Sequence, residues 1–229
     1  MKYFYKIDPK AEKLILFFDG WSMDQTAIEH LELPDSTDLI CCYDYRDILF
    51  NPQCDFTKYR QIDLVAWSMG VWGAETVAIN KQLPELTSAT AIAGTPIPMH
   101  DKLGIPRRMF IATLKGISEE NRKRFNLRMC GGKAHRHLLK SLESRTTQEV
   151  RDELDTVRQA SMKLQGEDFI PSNLDWTKAI VPEKDFIIPP ENQIYYWQSH
   201  QIPFIKIEGA EHYVFSNYHK WSDIIPSKD

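Results

Sequence analysis

Long apolar runs are missing from this 229-residue chain. The longest, such as LILFF at 14–18, are far too short to cross a bilayer, so no membrane span and no membrane partner are expected. The first residues, MKYFYKIDPK, lack an apolar core followed by a small-residue cleavage site, so no secretory leader is expected. Cysteine is scarce. Cys41, Cys42, Cys54 and Cys130 have neither metal-ligand nor disulfide-framework spacing. Adjacent Cys41 and Cys42 lie in an apolar run and read as reduced core residues, which makes the cytoplasm the expected compartment. There is no glycine-rich phosphate loop, nucleic-acid motif, internal repeat or low-complexity segment. Neither a metal nor a cofactor is expected.

The length suffices for one well-buried core, with room for an insertion. A composition of 42% hydrophobic and 26% charged residues is ordinary for a globular protein. The charge, however, is segregated. Between Asp101 and Arg145 stand twelve Lys or Arg against four acids, a net of +8. Since the whole chain is −4, the remainder carries −12. A basic block on an acidic body disfavours nucleic acid and points to an acidic partner for that block.

Short apolar segments at 3–7, 13–19, 38–43, 62–66 and 88–95 read as strands, and 70–78 reads as a small-residue helix. A further helix is expected from Asp24, burying Ala27, Ile28 and Leu31. This alternation predicts an α/β fold with a mostly parallel, doubly wound sheet. From 99 to 176 it stops, and only helical patterns remain. Ser118 with Glu119 and Glu120 marks one helix start, and Thr146 with Glu149 forms a capping box ahead of a Val150, Leu154, Val157, Ser161 stripe. Strand patterns resume at 178–182 and 204–208, with a helix at 192–200 between them. A C-terminal amphipathic helix is expected to carry Val214, Tyr218, Trp221 and Ile225 on one side. The predicted organisation is a core of residues 1–98 and 177–229 interrupted by a basic helical insertion, 99–176.

The segment Ala66-Trp67-Ser68-Met69-Gly70 joins a strand to a helix and matches G-x-S-x-G with Ala at the first position. A serine there can be the nucleophile of an acyl transfer, or simply a helix cap. Serine needs a base, and the base needs an orienting group. His212 follows the last strand and Asp185 the one before it, at the carboxyl edge where Ser68 also falls. The order Ser68, Asp185, His212 is that of an α/β-hydrolase. Asp44, also at a strand end, competes with Asp185 for the orienting role. The oxyanion is expected to meet the N–H of Met69 and that of Trp21 in the Gly20-Trp21-Ser22 loop.

The basic block is either a solvated helical face or a docking surface. Arg124 with Arg128, and Arg136 with Lys140, place like charges one helical turn apart, which costs helix stability and suggests a use. A small acidic protein carrying a phosphorylated arm suits such a surface, since Arg binds phosphate bidentately.

These pieces together resemble a known family. FFDGW at the first loop, AWSMGVW at the elbow, AIAGTP, DFIIPPENQ and GAEHYVF are similar to the BioG-type pimeloyl-acyl-carrier-protein methyl ester esterases of biotin synthesis. Where wider relatives have His-Gly, this chain has Asp19-Gly20, which keeps the Trp21 N–H but removes any imidazole. The resemblance implies an α/β-hydrolase with a helical lid. It also implies hydrolysis of the methyl ester of pimeloyl-carrier protein, with Ser68 as nucleophile, His212 as base and Asp185 as its orienter. An acidic carrier with a phosphopantetheine arm is the implied partner, with Arg122, Arg124, Arg128, Arg136 and Lys140 as candidate docking residues. A monomer is expected. Two alternatives stand beside this: a general short-chain esterase or thioesterase with the same triad, and a carrier-binding module with a degenerate site.

Overall fold

The computed structural model describes residues 1–133, 135–163 and 172–225. Seven strands form one sheet: β1 (Lys2–Lys6), β2 (Lys13–Phe18), β3 (Thr37–Tyr43), β4 (Gln61–Trp67), β5 (Ser88–Ile92), β6 (Lys178–Lys184) and β7 (Phe204–Glu211). Their spatial order is β1-β3-β2-β4-β5-β6-β7, and only the edge strand β1 runs antiparallel. Register aligns the carboxyl ends of the central strands, with Phe18 opposite Cys42 and Ala66, and Trp67 opposite Ile92. The loops after β2, β3, β4 and β5 therefore emerge at one edge.

Side chains alternate across a strand, so each central strand feeds two cores. Leu14, Leu16, Phe18, Cys42, Leu64 and Ala66 face one side, where α1 (Met69–Ile79), α5 (Thr147–Met162) and α6 (Pro190–Ser199) pack. Ile15, Phe17, Cys41, Val65 and Trp67 face the other. All four cysteines are free, and Cys41 and Cys42 are buried on opposite faces. Each fully buried Leu or Val contributes about 1.5–3 kcal/mol through burial, so this two-sided filling is what holds the sheet.

The second face departs from expectation. Helices were predicted from Asp24 and after residue 213, yet only 3-10 turns form, at Gln25–Ala27, Val214–Asn217 and Trp221–Asp223. The apolar residues are placed as predicted, with Ala27, Ile28, Leu31, Val214 and Trp221 buried. The backbone is not helical because the two segments bond to each other. Glu32 N–H donates to His219 O at 2.9 Å and Trp221 N–H to Glu32 O at 3.1 Å. A helix would spend those groups internally. Two strand ends also differ. β5 stops at Ile92, while β7 runs past Glu208 through Gly209, whose φ of 67° accompanies an irregular register against β6.

Between β5 and β6 lie α2 (Arg107–Lys115), α3 (Glu119–Met129), α4 (Arg136–Ser144) and α5. Ser118 caps α3 by accepting the Asn121 N–H, and the Thr146–Glu149 capping box starts α5. Val150, Leu154, Val157 and Ser161 form the buried stripe of α5. Among the described residues, no helix is long and apolar enough to cross a membrane.

Candidate active site

Ser68 occupies the turn between β4 and α1 with φ 56° and ψ −119°, a left-handed backbone rare for a residue with a Cβ. Packing holds it there. Its N–H donates to Ile92 O at 2.8 Å, and its carbonyl accepts the Val71 N–H at 3.1 Å. Two glycines make the turn sterically feasible. A Cβ at Gly70 would collide with the Phe18 carbonyl, and one at Gly94 would lie 2.6 Å from the Ser68 carbonyl oxygen. Strain stored at such a turn projects the hydroxyl outward into the cleft.

His212 and Asp185 arrive from β7 and β6. His212 Nδ1 lies 2.7 Å from Asp185 Oδ2, and His212 Nε2 lies 2.8 Å from Ser68 Oγ. With Nδ1 donating to the carboxylate, Nε2 is left to accept the serine proton. All three residues are buried. Asp185 is itself oriented, since its Oδ1 accepts the Ile187 and Ile188 N–H groups at 2.8 and 2.9 Å. Gln193 Nε2 donates to Oδ2 at 2.8 Å. Trp67 Nε1 donates to the His212 carbonyl at 3.0 Å and fixes the histidine loop from below.

Asp44 is engaged elsewhere. It binds Arg46 through two bonds of 2.7 and 2.8 Å, and it pairs with Lys2 and Arg145. Burial pushes its pKa up, but the Arg46 bonds and the Arg145 and Lys2 charges outweigh this and hold it well below the usual carboxylate range. Asp19 is fully buried, and burial raises its pKa well above the ordinary value despite the bond from the Gly20 N–H at 2.7 Å.

The N–H groups of Trp21 and Met69 meet no acceptor among the described residues, and both residues line the cleft over Ser68. Met69 opens α1, so its N–H is one of the helix's unsatisfied donors. The Trp21 indole is anchored to Val150 O at 2.9 Å. The cleft is narrow, holding about 30 Å³ between apolar side chains including Ile105, Met109, Phe110, Phe125, Met129 and Leu154. A second, more open cleft of about 370 Å³ shares Trp21, Met109, Phe125 and Arg128 with the first and adds Arg122 and Arg124. Together they form a channel from Ser68 to a basic mouth.

Of the predicted docking residues, Arg122, Arg124 and Arg128 line the second cleft, but their partners differ. Arg124 pairs with Glu120 at 2.6 Å, and Lys140 pairs with Glu29 at 2.7 Å. Arg122 is buried, with Nε and Nη2 lacking acceptors among the described residues, and burial lowers its pKa. Arg128 is exposed at the mouth, its guanidinium 5.6 Å from the Phe125 ring centre and without an ion-pair partner among the described residues. The side chain of Arg136 lies outside the described residues. No group of three or more His, Cys, Asp or Glu among the described residues is placed to hold a metal ion.

Sequence reasoning missed Gln193, Trp67 and Gly94. Gly94 had a legible signal, a glycine at a strand end. Gln193 had none, because only the packing of α6 turns it toward Asp185.

The family profile described as pimeloyl-ACP methyl esterase BioG matches residues 2–224. A Haemophilus influenzae protein is 41% identical over 215 residues, covering 94% of this chain and 95% of that one. A malonyl-[acyl-carrier protein] O-methyltransferase of Bacteroides fragilis is 40% identical over 206 residues, but these are 90% of this chain and 40% of that protein. The crystal structure of BioG from Haemophilus influenzae superposes with a TM-score of 0.83 at 38% identity, covering 99% of this chain and 100% of that one. A lipase-esterase related protein from Clostridium acetobutylicum, 17% identical with a TM-score of 0.61 over 93% of each chain, shares the fold. The architecture is that of an α/β-hydrolase.

Proposed function

From the membership of this chain in the BioG family of pimeloyl-ACP methyl esterases, we propose that it is a serine esterase hydrolysing the methyl ester of a pimeloyl chain borne by an acyl-carrier protein. One observation carries the reading: a Ser68–His212–Asp185 relay with bonds of 2.8 and 2.7 Å at the floor of an apolar channel. Ser68 Oγ attacks the ester carbonyl as His212 Nε2 takes its proton. Asp185 keeps the imidazole oriented and offsets the positive charge it acquires. The negative oxygen of the tetrahedral intermediate is held by the Trp21 and Met69 N–H groups. His212 then protonates the departing methoxide, releasing methanol, and next activates a water that cleaves the acyl-enzyme to free carboxylate.

The apolar lining suits the methylene chain, and the residues shared by the two clefts suit an acyl group delivered from outside. Helices α2 to α5, within residues 99–176, act as the lid. Arg128 at the mouth is the strongest docking candidate for an acidic carrier, because its charge is uncommitted among the described residues. Purified protein incubated with methyl-pimeloyl carrier protein should release methanol and the free carboxylate, and Ser68→Ala should abolish turnover while leaving carrier binding intact. Turnover retained by Ser68→Ala would reject the nucleophile, and a wild-type protein inert on this substrate but active on short free esters would reject the carrier.

A further inference from the structure

Glu153 is a charged residue on the otherwise apolar face of α5, one position before Leu154, and it is wholly buried. Its two oxygens hold two different loops. Oε1 accepts the Tyr45 N–H at 2.9 Å, in the loop after β3. Oε2 accepts the Ser22 N–H at 3.2 Å, in the loop after β2, and Arg145 Nη1 at 2.9 Å. The buried Arg145 also pairs with Asp44 at 3.2 Å, so a charged clamp joins both loops to the end of α4 and the body of α5.

Both loops contain a strained residue where the clamp grips them. Ser22 has φ 68° and Asp44 has φ 64°, left-handed backbone in residues that carry a Cβ. Such conformations persist only where the surroundings over-determine them. Glu153 supplies part of those surroundings, bonding the Ser22 N–H itself and the Tyr45 N–H beside Asp44. Ser22 directly follows Trp21, which lines the cleft over Ser68 and whose N–H meets no acceptor among the described residues, and the Trp21 indole is tied to Val150, three residues before Glu153 on the same helix. The loop is therefore held by α5 at Trp21 and at Ser22, immediately after the peptide that bears the oxyanion donor.

We propose that Glu153 is a positioning residue for the oxyanion hole: through the Ser22 amide it fixes the loop that aims the Trp21 N–H at the developing oxyanion. This rests on Ser68 being the nucleophile. The inserted helices then complete the catalytic centre as well as cover it. Aim matters more in the transition state than in the ground state, because the oxyanion bonds strengthen only as charge develops. A loosened loop should lower kcat and spare KM.

The test compares wild type, Glu153→Gln and Glu153→Asp. The amide keeps the volume but presents NH2 to one of the donors; the shorter acid keeps the charge facing Arg145 but cannot reach both loops. Two readouts are taken below the melting temperature of each: the rate at which a fluorophosphonate labels Ser68, and kcat and KM on p-nitrophenyl butyrate. Labelling rate and kcat should fall about 10–100-fold, the range for a misplaced oxyanion donor, with KM within about twofold. Adding Ser22→Gly to Glu153→Gln should recover much of the loss, since glycine adopts φ near 68° without strain. A folded Glu153→Asp or Glu153→Gln enzyme with wild-type kcat overturns the proposal. So does a loss shared equally by KM, or a loss of activity that follows stability alone and is not relieved by Ser22→Gly. A wild-type protein that the probe fails to label would instead overturn the nucleophile on which the proposal rests.

Discussion

Acidifying the medium from pH 7 to pH 5 should destabilise this protein through His137. Its Nε2 lies 2.7 Å from the Tyr213 hydroxyl, which itself donates to Ala27 O at 2.6 Å, so the imidazole must donate there. Burial, followed by the charges of the neighbouring His30 and His135, lowers its pKa from 6.5 to about 4, the two rings lying 5.0 and 5.6 Å away. Lys140 acts in the same direction and Glu29 opposes it; Lys133 and Glu211 face the adjoining His135. Because the folded pKa lies below the unfolded one, the unfolded chain binds more protons between those values. Stability is therefore intact above pH 6.5 and falls as the pH drops toward 4. Integrating from pH 7 to pH 5 gives a loss of about 2 kcal/mol from this one residue. Urea titrations of wild type and His137→Gln at the two pH values isolate it. Wild type should lose about 2 kcal/mol more than the variant on acidification. Equal losses in the two proteins would refute the linkage. The consequence reaches the site, because Tyr213 adjoins His212.

Gln193→Leu removes the side-chain donor to Asp185 Oδ2 while the backbone donors to Oδ1 remain. A bond to a charged group is worth about 1.5–3 kcal/mol, so kcat should fall roughly tenfold or more in a steady-state ester assay with little change in KM. Gly94→Ala forces a Cβ toward the Ser68 carbonyl, and thermal unfolding should report a destabilisation of about 1–3 kcal/mol together with lost Ser68 labelling. Arg128→Glu should raise KM for carrier-bound ester several-fold more than Arg124→Glu does, since Arg124 already pairs with Glu120. Kinetics at two salt concentrations should show the Arg128 effect shrinking as screening rises.

The meeting of Ser68, Asp185 and His212 was legible because each sits just past a strand, and strand ends in a parallel sheet share an edge. Helix starts at Ser118 and Thr146 were legible for a similarly local reason, since a cap and its bonded amide lie three residues apart. What failed depended on partners distant in sequence. The stripes at 27–31 and 214–225 fit a helix, and their side chains are buried except for the half-buried Tyr218 and Ile225, but backbone bonds between Glu32 and residues 219–221 decide the conformation. Gln193 and Glu153 act on groups that only the folded chain brings near. Glu153 still left a trace, an acid on the same face as Val150 and Leu154, which an amphipathic helix would not place there without a partner.

The +8 carried by residues 101–145 illustrates how a charge count differs from a field. Arg145 contributes to that sum, yet it is buried between Glu153 and Asp44 and neutralises acids inside the protein. Lys140 answers Glu29, 111 residues away, and Lys133 lies 3.4 Å from Glu211. Arg124 answers Glu120 one turn back, a pairing that its spacing alone displayed. Each such pair removes a cation from what an approaching partner experiences beyond a Debye length of about 8–10 Å. Arg128 keeps its charge, and it stands where the channel to Ser68 opens. Lys102, Arg108, Lys115 and Lys123 also lack ion pairs among the described residues and add to the surrounding field, but under the proposed function Arg128 is the cation that lines both clefts and so is placed to guide an acyl arm to Ser68.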